Sequence, residues 1–267
     1  MSEPVFDEME KRCNYLKLGV TSSELAEICM NLNMDEHELS DLNSVLKAFE
    51  EKKAESVVNT CLKLSRLPVK EPKTFAGFDF SRVQGKEAER LKSLSTLAPL
   101  YEKKNISFIG PQGVGKTHLA MAFGYACCEL GIKTYFLKAT ELEQRITAAR
   151  KADRVSRLIS SLVKPSCLII DEVGRCRFDK ENTRIFFDII DRRTTKDGPN
   201  CVIFTSNKSP ATWGEYFEET DSLLCALDRI FDNAIVFMMK GESYRGRKLE
   251  TVAVETRSTT AFLNNTK

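Results

Sequence analysis

The sequence is poor in the residues that build metal centres, disulfide frameworks and membrane spans. It has two histidines, His37 and His118, and one tryptophan. Its nine cysteines are an odd number, and none falls in a C-x-x-C pair. Neither a zinc site nor a disulfide framework is expected, and the thiols read as reduced, buried side chains of a cytoplasmic protein. Cys127 and Cys128 lie on an apolar stretch, where packing is the better reading than redox chemistry. No apolar run approaches the roughly 20 residues of a membrane helix. Ala234–Met239, at six residues, is among the longest. The opening MSEPVFDEMEKR is acidic and lacks the apolar core of a secretory signal. No membrane partner is expected.

What is present is a globular composition. The 267 residues are 42% hydrophobic and 29% charged, enough for a sizeable core in one or two domains. The net charge of +2 conceals an asymmetry. Residues 1–56 carry six Lys/Arg against thirteen Asp/Glu, a net of −7, and the other 211 carry 34 against 25, a net of +9. An acidic head on a basic body suggests two partners of different electrostatic character.

The head, residues 1–66, reads as a small all-α domain. Phe6, Met9, Cys13 and Leu16 recur at helical spacing, as do Leu39, Leu42, Leu46 and Phe49. Thr21 with Glu24 and Asp35 with Glu38 are capping boxes. The pair of helices around Asn33–Met34 has the outline of a helix-turn-helix. Asp35, Glu36, Glu38 and Asp41 are the wrong charge for reading DNA, which favours protein docking. A linker and lead-in helix, residues 67–104, opens on LPVKEPKTFAGFDF, whose prolines and glycine break helix. From Asn105 strands alternate with helices: strands at Ile106–Ile109, Lys133–Leu137, Cys167–Ile170, Cys201–Thr205 and Ile235–Met239. Helices are expected at Thr117–Leu130, over most of Thr140–Leu162, and at Glu181–Arg193. Such alternation predicts a parallel sheet with helices on both faces. This core spans 105–248, and a flexible tail is expected over 249–267.

The chemistry is concentrated at strand ends. Gly110-Pro111-Gln112-Gly113-Val114-Gly115-Lys116-Thr117 matches G-x-x-x-x-G-K-[ST] between a strand and a helix. Glycines let the backbone wrap a phosphate chain at a helix N-terminus, with His118 next in line. Lys116 would reach the β- and γ-phosphates of ATP, and the Thr117 hydroxyl would ligate Mg²⁺. The buried strand CLII delivers Asp171 and Glu172 at its C-terminal edge. Asp171 would complete the Mg²⁺ shell, and Glu172 would polarise the attacking water. Asn207, after Thr205 and Ser206, can bridge that water and the γ-phosphate, or simply cap a turn. Arg229 in ALDRIFDNA and Arg245 in GESYR are candidate phosphate-sensing cations, with a helical ion pair and a surface arginine as the alternatives. Arg145, Arg150, Lys151, Arg154, Arg157 and Lys164 face only Asp153 in their segment. This is either a solvated helix face or a surface for a phosphate backbone, bound through counterion release with little sequence preference.

GPQGVGKTHLA, CLIIDEVG, FTSNKSPATWGEYF, ALDRIFDNA and KGESYR together resemble the IstB-type ATP-binding proteins. These are AAA+ transposition helpers related to the DnaC-type helicase loaders. The resemblance runs from about Lys73 to Lys248 and weakly into the head. It implies a five-stranded P-loop AAA+ core, ATP-dependent homo-oligomerisation on duplex DNA, and a transposase that the assembly recruits and activates. It also implies that Arg229 is an arginine finger for a neighbouring subunit and Arg245 a second sensor. Only 27 residues follow Lys240, too few for a full AAA+ helical lid. The alternatives are a helicase loader whose head docks a replicative helicase, and a nucleotide-gated DNA scaffold with little turnover. Glu172 counts against the scaffold, which has no need of a water-polarising carboxylate.

Overall fold

The computed structural model describes residues 3–83, 87–218 and 220–241. Arg245 and the expected tail lie outside the described residues. Three helices come first, α1 (Glu3–Leu16), α2 (Ser22–Asn31) and α3 (Glu36–Ser65). Both capping boxes form. The Glu24 amide donates to the Thr21 hydroxyl at 3.3 Å, the Glu38 amide to Asp35 at 2.9 Å, and each Glu accepts from its cap's own amide. Phe6, Met9, Cys13, Leu25, Cys29, Leu39 and Leu46 make a small core between the three helices. Phe49 ends the Leu39–Leu42–Leu46 series in sequence but is 57% exposed. The apolar cluster stops at Leu46, and the next contact between α1 and α3 is polar, with Arg12 pairing to Glu50 at 3.0 Å.

α3 is long because it serves two cores. Its far end carries Cys61, which together with Leu67 belongs to the apolar cluster of the following sheet. The Cys61 thiol donates to the Gly131 carbonyl at 3.3 Å. Two short helices, α4 (Glu87–Lys92) and α5 (Ala98–Tyr101), lead into the first strand.

The body then alternates as expected. Its strands are β1 (Asn105–Ile109), β2 (Thr134–Lys138), β3 (Cys167–Val173), β4 (Cys201–Ser206) and β5 (Ala234–Met238). They form one sheet of order β2-β3-β4-β1-β5, and every pair is parallel. Every residue of β1 and β4 is buried, as sheets covered on both faces require. α6 (Lys116–Glu129) packs among the cluster on one face, and its cysteines, Cys127 and Cys128, are fully buried. Burial pushes the Cys128 thiol up to about 11, so it packs as a small apolar group. Two thiols depart from the buried-thiol expectation: Cys176 is half-buried, and Cys225 is exposed on α10 (Thr220–Asp232). The other face is covered by α7 (Ala139–Lys151), α8 (Val155–Val163) and α9 (Lys180–Thr194). The basic segment is thus two helices, broken where Asp153 takes a left-handed φ of 53°. Arg193 of α9, 1% exposed, donates to the carbonyls of Leu162 and Pro165 at 2.8 Å and of Cys201 at 3.1 Å. It therefore brackets the starts of β3 and β4 to the end of α8.

Candidate functional site

The C-terminal ends of β1, β3 and β4 meet at one edge of the sheet, where open parallel sheets hold their ligands. The phosphate loop joins β1 to α6. Two of its glycines are required by contact as well as by backbone. At Gly110, φ 155°, a Cβ would lie 2.1 Å from the Met239 carbonyl oxygen. At Gly115, φ 95°, a Cβ would lie 2.6 Å from the Phe78 ring. Val114 is buried and anchors the loop to the body, while Pro111 and Gln112 are exposed on its outer side. Lys116 is 7% exposed, and its ammonium donates to the carbonyls of Gly110 at 2.7 Å and Pro111 at 2.5 Å.

Opposite the loop, β3 presents its carboxylates. Asp171 is 2% exposed, and one of its oxygens accepts from the hydroxyls of Thr117 at 2.7 Å and Thr205 at 2.6 Å. A hydroxyl facing a carboxylate at a phosphate site is the oxygen donor set that suits Mg²⁺, a cation usually held by one or two carboxylates, water and the phosphates themselves. Among the described residues, no group of three or more His, Cys, Asp or Glu could hold a metal by itself. Glu172 has a φ of 61°, unusual for a residue with a side chain. Its carboxylate is held by two cations, Lys138 at 3.4 Å and Arg175.

A cleft of about 510 Å³ runs between these groups, with Gln112, Gly113, Lys116, Thr117, Glu172 and Asn207 among its walls. Its other end is made by the linker. Phe78 lies edge-on to the His118 ring, centroids 5.4 Å apart, and His118 Nε2 sits 2.8 Å from the Thr74 carbonyl oxygen. His118 therefore ties the linker to the first turn of α6 as well as lining the cleft. The FAGFDF run signals only an irregular segment, so sequence reading missed Phe78 as a wall of the site. It also missed Thr205 and Lys138, which matter through contacts made across the sheet, and Arg175, which turns back onto Glu172 from the loop after β3.

The remaining candidates lie elsewhere. Arg229 of α10 is absent from the cleft of its own chain; its guanidinium pairs with Asp191 at 3.1 Å and lies over the Phe187 ring at 5.0 Å. On α7, Arg145 bonds Glu141 at 2.9 Å, and Arg150 bonds Asp179 and Asn182, each at 2.8 Å. Burial alone would raise the Glu141 carboxyl, yet the guanidinium groups of Arg66 and Arg145 hold it below the ordinary value. Lys151, Arg154 and Arg157 are exposed around the α7–α8 break.

Sequence relatives of the chain are named for insertion sequences. The chain is 36% identical to the ATP-binding protein of insertion sequence IS5376 from Geobacillus stearothermophilus, over 91% of this chain and 95% of that relative. It is 34% identical to the ATP-binding protein of insertion sequence IS21 from Pseudomonas aeruginosa, over 74% of this chain and 73% of the other. Among solved structures, the DnaC helicase loader superposes with a TM-score of 0.52 at 19% identity, covering 63% of this chain and 97% of the loader. That likeness shows the AAA+ fold. Residues 16–251 match the family described as IstB-like ATP binding protein, and the chain belongs to that family.

Proposed function

We propose that this protein is a Mg²⁺-dependent ATPase that assembles on duplex DNA in its ATP-bound form and recruits and activates a transposase. The observation that carries this reading is that Lys116, Thr117 and Glu172 line one cleft, with Asp171 bonded to the Thr117 hydroxyl behind it. Relatives named for insertion sequences support the transposition half. In this reading residues 1–66 dock the partner protein, 67–104 lead in, 105–248 form the motor and 249–267 a tail.

The triphosphate lies along the loop from Gly110 to Thr117, at the positive end of α6. Lys116 exchanges its loop carbonyls for β- and γ-phosphate oxygens. Thr117 and Asp171 would hold Mg²⁺, which would offset charge on the phosphates. Glu172 polarises the attacking water once Lys138 and Arg175 release its carboxylate, and Asn207 orients that water against the γ-phosphate. Arg229 belongs to a neighbouring subunit's site, reached when oligomerisation draws it from Asp191. Arg245 acts as a second sensor. Arg145, Arg150, Lys151, Arg154 and Arg157 track the DNA backbone, with the exposed three leading.

Glu172→Gln tests the centre of this reading. It should bind ATP as wild type does, hydrolyse it slowly, and leave longer-lived complexes on duplex DNA. Those complexes, imaged with a non-hydrolysable ATP analogue, should be ordered rings or filaments. Equal turnover in the variant and wild type overturns the assignment.

A further inference from the structure

Adjacent residues of a regular strand point to opposite faces of the sheet. Asp171 and Glu172 are adjacent, yet Glu172 lines the cleft and the Asp171 carboxylate bonds Thr117 of the same cleft wall. The register shows how. Ile170 pairs with Phe204 and Val173 with Ser206, so β3 carries one residue more than β4 between these pairs. This β-bulge sets Asp171 and Glu172 together opposite Thr205, and the left-handed φ of Glu172 lies within it.

A bulge strips an amide of its ladder partner, and the Glu172 amide finds a side chain instead. It donates to the Thr205 hydroxyl at 3.0 Å, and the same hydroxyl donates to Asp171 at 2.6 Å. Thr205 is 1% exposed, so water is a poor substitute for either bond. Thr117, the other donor to Asp171, lines the same cleft but is only half-buried. We propose that Thr205 is a positioning residue of the ATPase centre: one buried hydroxyl fixes both the orientation of the Asp171 carboxylate and the backbone turn that aims Glu172. This inference rests on the function proposed above and adds a residue to that site. Two hydroxyls share the Asp171 oxygen, and Thr205 is the one that also reaches the Glu172 backbone.

Thr205→Val keeps shape and β-branching and removes the hydroxyl, whereas Thr205→Ser keeps the hydroxyl and removes a methyl. In the full chain, Thr205→Val should lower kcat about 10- to 100-fold, the usual effect of losing an outer-shell partner of a metal-site carboxylate. The Mg²⁺ concentration for half-maximal turnover should rise, while the Kd for a fluorescent ATP analogue stays near the wild-type value. Thr205→Ser should recover most of the loss. Wild-type turnover and Mg²⁺ dependence in Thr205→Val overturn the proposal, as does a Ser variant as impaired as Val, which would mean packing alone. If Thr205→Val does not fold, Thr205→Ala compared with Thr205→Ser separates the hydroxyl from packing in the same way. A wild-type chain without ATPase activity would sink the proposed function, and hydrogen exchange at the Glu172 amide would then decide this inference by itself. That amide should exchange roughly 2- to 10-fold faster in Thr205→Val than in wild type or Thr205→Ser, the worth of one hydrogen bond. Equal exchange overturns it.

Discussion

The cleft and the α7–α8 face both gather cations, and they hold them in opposite ways. In the cleft Lys116 is 7% exposed and tied to two loop carbonyls, and Asp171 is locked by two hydroxyls. On the α7–α8 face Lys151, Arg154 and Arg157 project into solvent. A ligand of fixed shape, such as a triphosphate, rewards groups already in place. A polyanion such as duplex DNA offers a repeating charge and rewards reach, because phosphate contacts position the protein without reading sequence. Arg229 falls between the two: it is half-exposed, paired with Asp191, and outside its own chain's cleft.

The sharpest way to break the comparison is to cut the cleft from both sides. Lys116→Ala should abolish ATP binding, since the loop loses its cation, and with it turnover. Arg229→Ala should still bind ATP. An arginine finger in trans contributes on the order of 10³–10⁵ in rate, so this variant alone should be inactive as well. Mixing the two should restore part of the activity, one subunit offering the intact site and the other the finger. Equilibrium nucleotide binding and steady-state turnover on the mixture are the measurements. No rescue in mixed oligomers returns Arg229 to its ion pair with Asp191.

The same contrast explains what the sequence disclosed. Phosphate loop, buried strand and acidic pair are contiguous stretches whose spacing and apolar pattern are local, so their elements and their places at the strand ends were legible. The bulge that brings Asp171 and Glu172 to one side was not, since a register slip depends on how β3 and β4 pair. Nor were the cations on Glu172: Lys138 arrives from the neighbouring strand, and Arg175 from a loop whose course the motif does not specify. Phe78 was hidden because a break in helix pattern says where a helix stops and nothing of where the chain then lies. In the head, the helices followed from their capping boxes, whereas the sharing of α3 between two cores did not. Its Cys61 packs with the sheet cluster, so removing residues 1–66 would uncover part of that core. Removing α1 and α2 alone is the cleaner lesion.

The exposed face gives a smaller and graded effect. Each phosphate contact contributes about −0.9 to the slope of log K against log salt on duplex DNA. Replacing Lys151, Arg154 and Arg157 with Gln should flatten that slope by about two to three units per subunit and weaken binding to all sequences alike. ATP binding should be unaffected, because these residues are absent from the cleft walls. Fluorescence anisotropy across a salt series reads the slope, and an unchanged slope makes this face an ordinary solvated one.

The smallest effect concerns Arg150, which shares the basic stretch but not its exposure. Asp179 caps α9, accepting from the Asn182 amide at 2.7 Å, and it also accepts Arg150 at 2.8 Å. Burial pushes its carboxyl up, but the Asn182 amide and the Arg150 guanidinium outweigh that and hold it below the ordinary value. Asp179→Ala should cost about 1 kcal/mol through the lost cap, near 2–4 °C in Tm for a protein of this size. Asp179→Asn keeps the cap and loses only the charge, so it should cost less, within the 0–1 kcal/mol typical of exposed pairs. The sign of the pH dependence follows from the depressed carboxyl. Its contribution is present above the unfolded value of about 3.9 and is lost as pH falls through the lower folded value. The stability gap between wild type and Asp179→Asn should therefore be open at neutral pH and close below about pH 4. Asp179→Asn also loosens Arg150, which makes it a test of where that arginine belongs. If Arg150 mainly ties α7 to α9, the salt slope on DNA stays as it was. A steeper slope would mean that Arg150, once released, reaches a phosphate.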